Sequence, residues 1–204
     1  MKSRISSVLS SRAKTALDAL SSPRCHDGRV TLVPALVILR GNSASGKSTV
    51  ARRVQRELPR GRVAVIGQDH VRRELLWEHD SGPGDTISLV EVMVRHCLAR
   101  GRITILEGIF RSARYQQMCE RLIASHDGPS LVYYLDVSLP ETLRRHSLKP
   151  IADHVSDEQV ASWYIPNDVL ALPSEIILDE RHSEDELVAQ ILTDLEGLAP
   201  RLHR

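Results

Sequence analysis

Short aliphatic runs punctuate the chain at regular intervals: Ala35–Leu39, Val63–Ile66, Ile103–Leu106, Leu131–Leu135 and, more weakly, Ile176–Leu178. Runs that are apolar at consecutive positions predict strands buried on both faces, as in a parallel sheet. Between them the apolar spacing becomes helical. Lys47–Leu58 sets Val50, Val54 and Leu58 on one face, Ile87–Leu98 is richly apolar and stops before Gly101, and Ser112–Ala124 groups Tyr115, Met118, Leu122 and Ile123. Three starts have the form of capping boxes, in which a serine oxygen and an acid or amide three residues on satisfy free backbone amides: Ser138/Glu141, Ser156/Gln159 and Ser183/Glu186. The last opens a helix whose buried face is Leu187, Val188, Ile191, Leu192 and Leu195. Ahead of the first strand, Ile5, Val8, Leu9, Ala13, Ala16, Leu17 and Leu20 predict a helix that ends at Ser21-Ser22-Pro23 and lies against the main body. The predicted organisation is an N-terminal helical extension, 1–29, followed by one domain, 30–204. Strands alternating with helices predict an α/β fold with a five-stranded, mainly parallel sheet flanked by helices.

Composition narrows the partners. The 27 Lys+Arg against 26 Asp+Glu leave a net charge of +1, which argues against a chain built to coat nucleic acid or an anionic membrane. No apolar run approaches the roughly 20 residues of a membrane span, and no signal-peptide core is present. Three cysteines without a CxxC pair fit a reducing, cytoplasmic setting. The nine histidines show no metal-ligand spacing. Almost all the basic residues are arginine, so Lys47 in a Gly/Ser stretch stands out.

Gly41-Asn42-Ser43-Ala44-Ser45-Gly46-Lys47-Ser48, followed by Thr49, fits G-x-x-x-x-G-K-[ST], the P-loop. A strand leads in and an amphipathic helix leads out, as the motif requires. Its glycines permit a turn whose amides point inward at phosphate, and the helix N-terminus adds its dipole. Lys47 can bridge the outer phosphates of ATP and the Ser48 hydroxyl can ligate Mg²⁺. The chain lacks the guanine-reading NKxD and the transporter LSGGQ strings, and it is short for a ring ATPase.

On this motif and its surroundings, about residues 34–195 resemble the small P-loop kinases: zeta-toxin-like kinases, chloramphenicol phosphotransferase, gluconate kinase and the kinase part of polynucleotide kinases. The resemblance implies roles at three further strings. Asp69-His70-Val71-Arg72 is a D-x-x-R string after the second strand. In such kinases the aspartate orients the acceptor hydroxyl and takes its proton, and the arginine holds substrate; the plainer alternative is a solvated helix cap. Ile103–Gly108 is a hydrophobic strand ending in Glu107, with Arg111 close behind. Glu107 would hold Mg²⁺ through water or bind an acceptor hydroxyl, with Arg111 also at the substrate. The usual strand order of the family puts the third strand beside the P-loop strand, which favours Glu107 over Asp136 at the end of the next strand. Glu141–His146, with Lys149 beyond, resembles the start of a lid, about 144–168, whose Arg144 or Arg145 covers the transferring phosphate. Trp77, Trp163 and Tyr164 are candidates to wall the acceptor pocket or to pack in the core.

The expected activity is transfer of the γ-phosphoryl group of ATP to a hydroxyl of a small molecule such as a metabolite, nucleoside, sugar or antibiotic. The loop Asp80–Asp85 suits a segment that covers substrate. Arg72, Arg73, Arg111 and Arg114 suit an anionic acceptor, or form an ordinary Arg-rich surface. Two other readings stay open: a polynucleotide 5′-hydroxyl kinase, disfavoured by the small net charge, and a non-catalytic nucleotide-binding module.

Overall fold

The computed structural model describes residues 33–79, 84–148, 155–172 and 174–198. The predicted N-terminal helix, Asp80 to Pro83, and Lys149 lie outside the described residues, as does Cys25.

Five parallel strands make one sheet: β1 (Leu36–Gly41), β2 (Val63–Gly67), β3 (Ile103–Gly108), β4 (Ser130–Asp136) and β5 (Glu175–Asp179). Their order is β2-β3-β1-β4-β5, and every pairing is parallel. The third strand therefore flanks the P-loop strand, with Leu39 opposite Glu107 and Arg40 opposite Gly108. Since parallel strands need crossovers, helices cover both faces. In chain order these are α1 (Lys47–Glu57), α2 (Gln68–His70, running into a π-helical turn at Val71–Leu75), α3 (Thr86–Ala99), α4 (Ser112–Ala124), α5 (Leu139–His146), α6 (Asp157–Trp163) and α7 (Glu184–Gly197).

The alternation of a strand divides the core in two. Val37 and Leu39 face a cluster with Val50, Ala51 and Val54 of α1 and the predicted stripe of α7. Leu36 and Ile38 face the opposite cluster, with Val90 and Val94 of α3 and Tyr115, Met118 and Leu122 of α4. Both faces of β1 are apolar because both are covered, which is why its sequence reads as a continuous run.

Three local readings change. β5 is an edge strand and only half-buried: Ile177 is exposed, because nothing described pairs with its outer side. Of the three capping boxes, those at Ser156/Gln159 and Ser183/Glu186 form completely, and the one at Ser138/Glu141 forms by half. The Ser138 oxygen accepts from the Glu141 amide, but the Ser138 amide donates to Glu180 instead, leaving the Glu141 carboxylate to Arg144 and Arg145. Trp77 lies in the left-handed region at φ 55° and is almost fully exposed, so it walls neither the core nor the cavities described below.

Candidate active site

The site lies at the carboxyl ends of β1, β2 and β3, where parallel strands deliver chain to helix N-termini. Gly41 ends β1 at φ 149°, and a Cβ there would stand 2.5 Å from the Leu135 carbonyl oxygen of β4. Only glycine lets the loop leave the sheet so close to its neighbour. Gly46, at φ 99°, turns the chain into α1. Ala44 holds a positive φ of 56° without being glycine, a local strain on the order of 1 kcal/mol.

The Lys47 side chain is buried and arches over this loop, donating to the Asn42 carbonyl oxygen at 2.7 Å and the Ser45 hydroxyl at 3.1 Å. Beside it, the Ser48 hydroxyl donates to the Glu107 carboxylate, 3.0 Å from either oxygen. Burial pushes the Glu107 carboxyl above its ordinary value, opposed by Lys47 and by the Ser48 hydrogen bond. A hydroxyl and a carboxylate in contact next to a phosphate-binding loop are hard oxygen donors, the set Mg²⁺ takes when substrate phosphates and waters complete its shell. Among the described residues no group of three or more His, Cys, Asp or Glu could by itself cage a metal.

Two cavities adjoin. The first, about 210 Å³, is lined by the P-loop from Ser43 to Thr49 except Ser45, with Asp69, Arg73, Glu107, Ile109, His146, Val160 and Trp163 among the rest of its wall. The second, about 240 Å³, is lined by Gln68, Asp69, Arg72, Arg73, Ile109, Arg111, Arg114, Tyr115 and Trp163. Asp69, Arg73, Ile109 and Trp163 belong to both, so they form the boundary. Asp69 is no isolated cap. It sits in the first turn of α2, accepts from Arg72 at 2.8 Å and lies 3.6 Å from Arg73.

The remaining predicted residues divide. Arg72 and Arg111 line the second cavity. Gly41, Asn42 and Ser45 do not line the first: Asn42 and Ser45 are buried, holding Lys47 and the neighbouring chain. Arg145 turns toward the loop, donating to the Ser45 carbonyl oxygen at 3.4 Å and to Glu141 at 2.7 Å, while the Arg144 side chain is largely exposed and its guanidinium pairs with Glu141. Their hydrogen bonds hold the Glu141 carboxyl down at about 2.

Several residues at the site were not singled out by sequence. His146 is buried in the first cavity wall, its Nε2 2.8 Å from the Val155 carbonyl oxygen. Arg40, buried inside β1, pairs with Asp168 at 2.9 Å and Glu175 at 2.8 Å, and lies 4.7 Å over the Tyr134 ring. Asp168 in turn accepts from the Ser112 amide, capping α4 from across the chain. Trp163 to Asp168 is thereby fastened to the site: Arg111 donates to the Trp163 carbonyl oxygen, Asn42 binds Ile165 and Arg40 binds Asp168. A charge inside an aliphatic strand was the available signal for Arg40. Cys97 and Cys119 are free thiols, and burial pushes Cys119 up to about 12, which makes it unreactive.

A phosphate-cradling loop with its lysine, on a parallel sheet of this strand order, defines a P-loop domain. Residues 36–163 match the family model described as an AAA domain, and the chain belongs to that P-loop family. Its fold is that of P-loop kinases. It is similar to the Mycobacterium tuberculosis APS kinase in complex with AMPPNP and APS (TM-score 0.62, 21% identity, 81% of this chain and 98% of that one). It is also similar to a gluconokinase from Sinorhizobium meliloti 1021 (TM-score 0.58, 16% identity, 83% and 96%). A third similar structure is the tunicamycin resistance protein of Deinococcus radiodurans (TM-score 0.55, 14% identity, 81% and 97%). No curated protein matches the chain in sequence. Among the described residues no helix is long and apolar enough to cross a membrane.

Proposed function

We propose that this protein is an ATP- and Mg²⁺-dependent kinase that transfers the γ-phosphoryl group to a hydroxyl of a small molecule. One juxtaposition carries the reading: the Asp69 carboxylate borders both the P-loop cavity and the arginine-lined cavity beside it. A switch has no use for a carboxylate between its nucleotide and a second pocket, whereas phosphoryl transfer needs an acceptor held in line with the γ-phosphate.

In this reading Lys47 and the loop amides hold the phosphates, Ser48 and Glu107 hold Mg²⁺, and Arg145 supplies charge over the γ-phosphate. Bound Mg²⁺ supplies neutralisation of the phosphate oxygens. Asp69 orients the acceptor hydroxyl and takes its proton as the new O–P bond forms and the bond to the β-phosphate oxygen breaks, leaving ADP. Arg72 fixes the Asp69 carboxylate in place, and Arg111 contacts the acceptor. The likeness in fold to a gluconokinase and to an APS kinase supports phosphoryl transfer to a small acceptor.

The test is ADP release with ATP and Mg²⁺ across a panel of hydroxyl acceptors, with mass spectrometry of the products. The expected result is one acceptor gaining one phosphoryl group, with turnover lowered by about 10²–10⁴ in Asp69→Asn while ATP affinity is kept. Acceptor-independent hydrolysis that Asp69→Asn leaves untouched would overturn the reading.

A further inference from the structure

Resting on the kinase reading above, we infer that His146 is a further phosphate ligand of the nucleotide. Its Nδ1 gains a proton from solvent as the nucleotide binds and then donates a hydrogen bond to a phosphate oxygen.

One ring nitrogen fixes what the other can do. Nε2 lies 2.8 Å from the Val155 carbonyl oxygen, an atom that only accepts, so Nε2 carries a hydrogen. In a neutral imidazole Nδ1 is then a bare lone pair, and in an imidazolium it is a second donor. Nδ1 has no hydrogen-bond partner among the described residues. The residue is 2% exposed and lines the P-loop cavity but not the second one, so a ligand that meets Nδ1 lies on the nucleotide side.

The surrounding charges set when the proton arrives. His146 closes α5, where the helix dipole favours a cation. Lys47 of α1 and Arg73 of the π-helical turn line the same cavity and oppose a further positive charge, whereas Asp69 of α2 and Glu107 of β3 favour one. Asp69 is already matched by Arg72, and Glu107 accepts from Ser48. On its own helix Arg144 and Arg145 oppose the charge, and Glu141, bonded to both, offsets them. The α6 residues in the cavity wall, Val160 and Trp163, are apolar, and the helix carries its acids Asp157 and Glu158 exposed in the first turn. A bound triphosphate adds several negative charges to this cavity of about 210 Å³ and tips the balance toward the imidazolium. A lone pair facing phosphate oxygens repels them; a proton between the two makes a charge-assisted hydrogen bond.

The test is calorimetric binding of AMPPNP with Mg²⁺ to the full chain, in buffers of differing ionisation enthalpy so that proton uptake is read directly. At pH 8 the parent is expected to take up about half a proton or more beyond His146→Gln. The analogue's own titration is common to both proteins and cancels. Glutamine keeps an amide where Nε2 donates to Val155 and has nothing at the Nδ1 place. It should melt with the parent yet bind about tenfold more weakly at pH 6.5, a gap that narrows toward pH 9. His146→Asn makes the reverse exchange, keeping a nitrogen at the Nδ1 place and losing the Val155 tie, so it should melt lower yet bind more tightly than His146→Gln. Equal proton uptake by the parent and His146→Gln, an affinity gap that ignores pH, or variant affinities that merely follow the melting temperatures each overturns this inference alone. Failure of the parent to bind the analogue overturns the kinase reading with it.

Discussion

Asn42 and Ile165 exchange two hydrogen bonds across 123 positions of sequence: the Asn42 Nδ2 donates to the Ile165 carbonyl oxygen at 2.8 Å, and the Ile165 amide donates to the Asn42 Oδ1 at 3.1 Å. A P-loop side chain thus imitates a strand partner for the segment that follows α6. Asn42→Ala leaves an amide and a carbonyl of Ile165 unpaired in a half-buried place. It is expected to cost about 1–3 kcal/mol of stability in a denaturant titration and to weaken nucleotide binding, since the loop position whose backbone carbonyl oxygen holds Lys47 loses its side-chain anchor to Ile165.

Arg40 joins the sheet to the same segment. Its side chain is 1% exposed and its carboxylate partners are 13% and 3% exposed, so removing the cation strands two acids in the interior. Arg40→Met should lose about 3–5 kcal/mol, measured by chemical unfolding. Adding Asp168→Asn and Glu175→Gln should return part of that loss, because the penalty lies in the orphaned charges. A loss that the added substitutions only deepen would point to packing against Tyr134 as the main contribution.

Glu107 offers a pH signature. Its folded-state carboxyl is raised above the unfolded value by burial, so the ionised form opposes folding. That favourable contribution of the protonated form is complete below the unfolded value, about pH 4, and is lost as pH climbs through the folded one. Glu107→Gln should therefore melt higher than the parent at pH 7–8, by a margin that shrinks toward pH 4. The same variant should lose phosphoryl transfer by about 10² or more, with a weakened response to Mg²⁺.

The two arginines in the last turn of α5 should separate. Arg145→Ala removes the cation that reaches the Ser45 carbonyl oxygen and is expected to lower kcat by about 10–10³-fold. Arg144→Ala, at a side chain 63% exposed, should have a far smaller effect. Steady-state kinetics on the two purified variants decides it, and equal effects would remove Arg145 from its assigned place.

Where the chain speaks through nearest neighbours in sequence, it could be read directly. The five strands, the P-loop turn and the buried stripe of α7 all follow from local spacing. Asp69 beside Arg72 is likewise a short-range relationship. What escaped depends on distant partners. Arg40 meets Glu175 across 135 positions, and its charge in an aliphatic run has no local explanation. The half-formed capping box at Ser138 reflects competition from Glu180, which no four-residue window contains. Trp163 and Trp77 look alike as isolated aromatics, yet only the first is brought to the cavities, because Arg111 and Ile165 anchor the chain around it.

Gly67, at the end of β2, faces the Glu107 carboxylate so closely that a Cβ there would lie 2.8 Å from its Oε1. The obstructing atom is the tip of a flexible side chain, so a methyl group at position 67 would leave the fold intact and instead push the carboxylate off the Ser48 hydroxyl. The two positions are therefore expected to change together in descent. A lineage that acquires alanine at 67 restores the donor pair by shortening the acid at 107 to aspartate, and a lineage that keeps glutamate keeps the glycine.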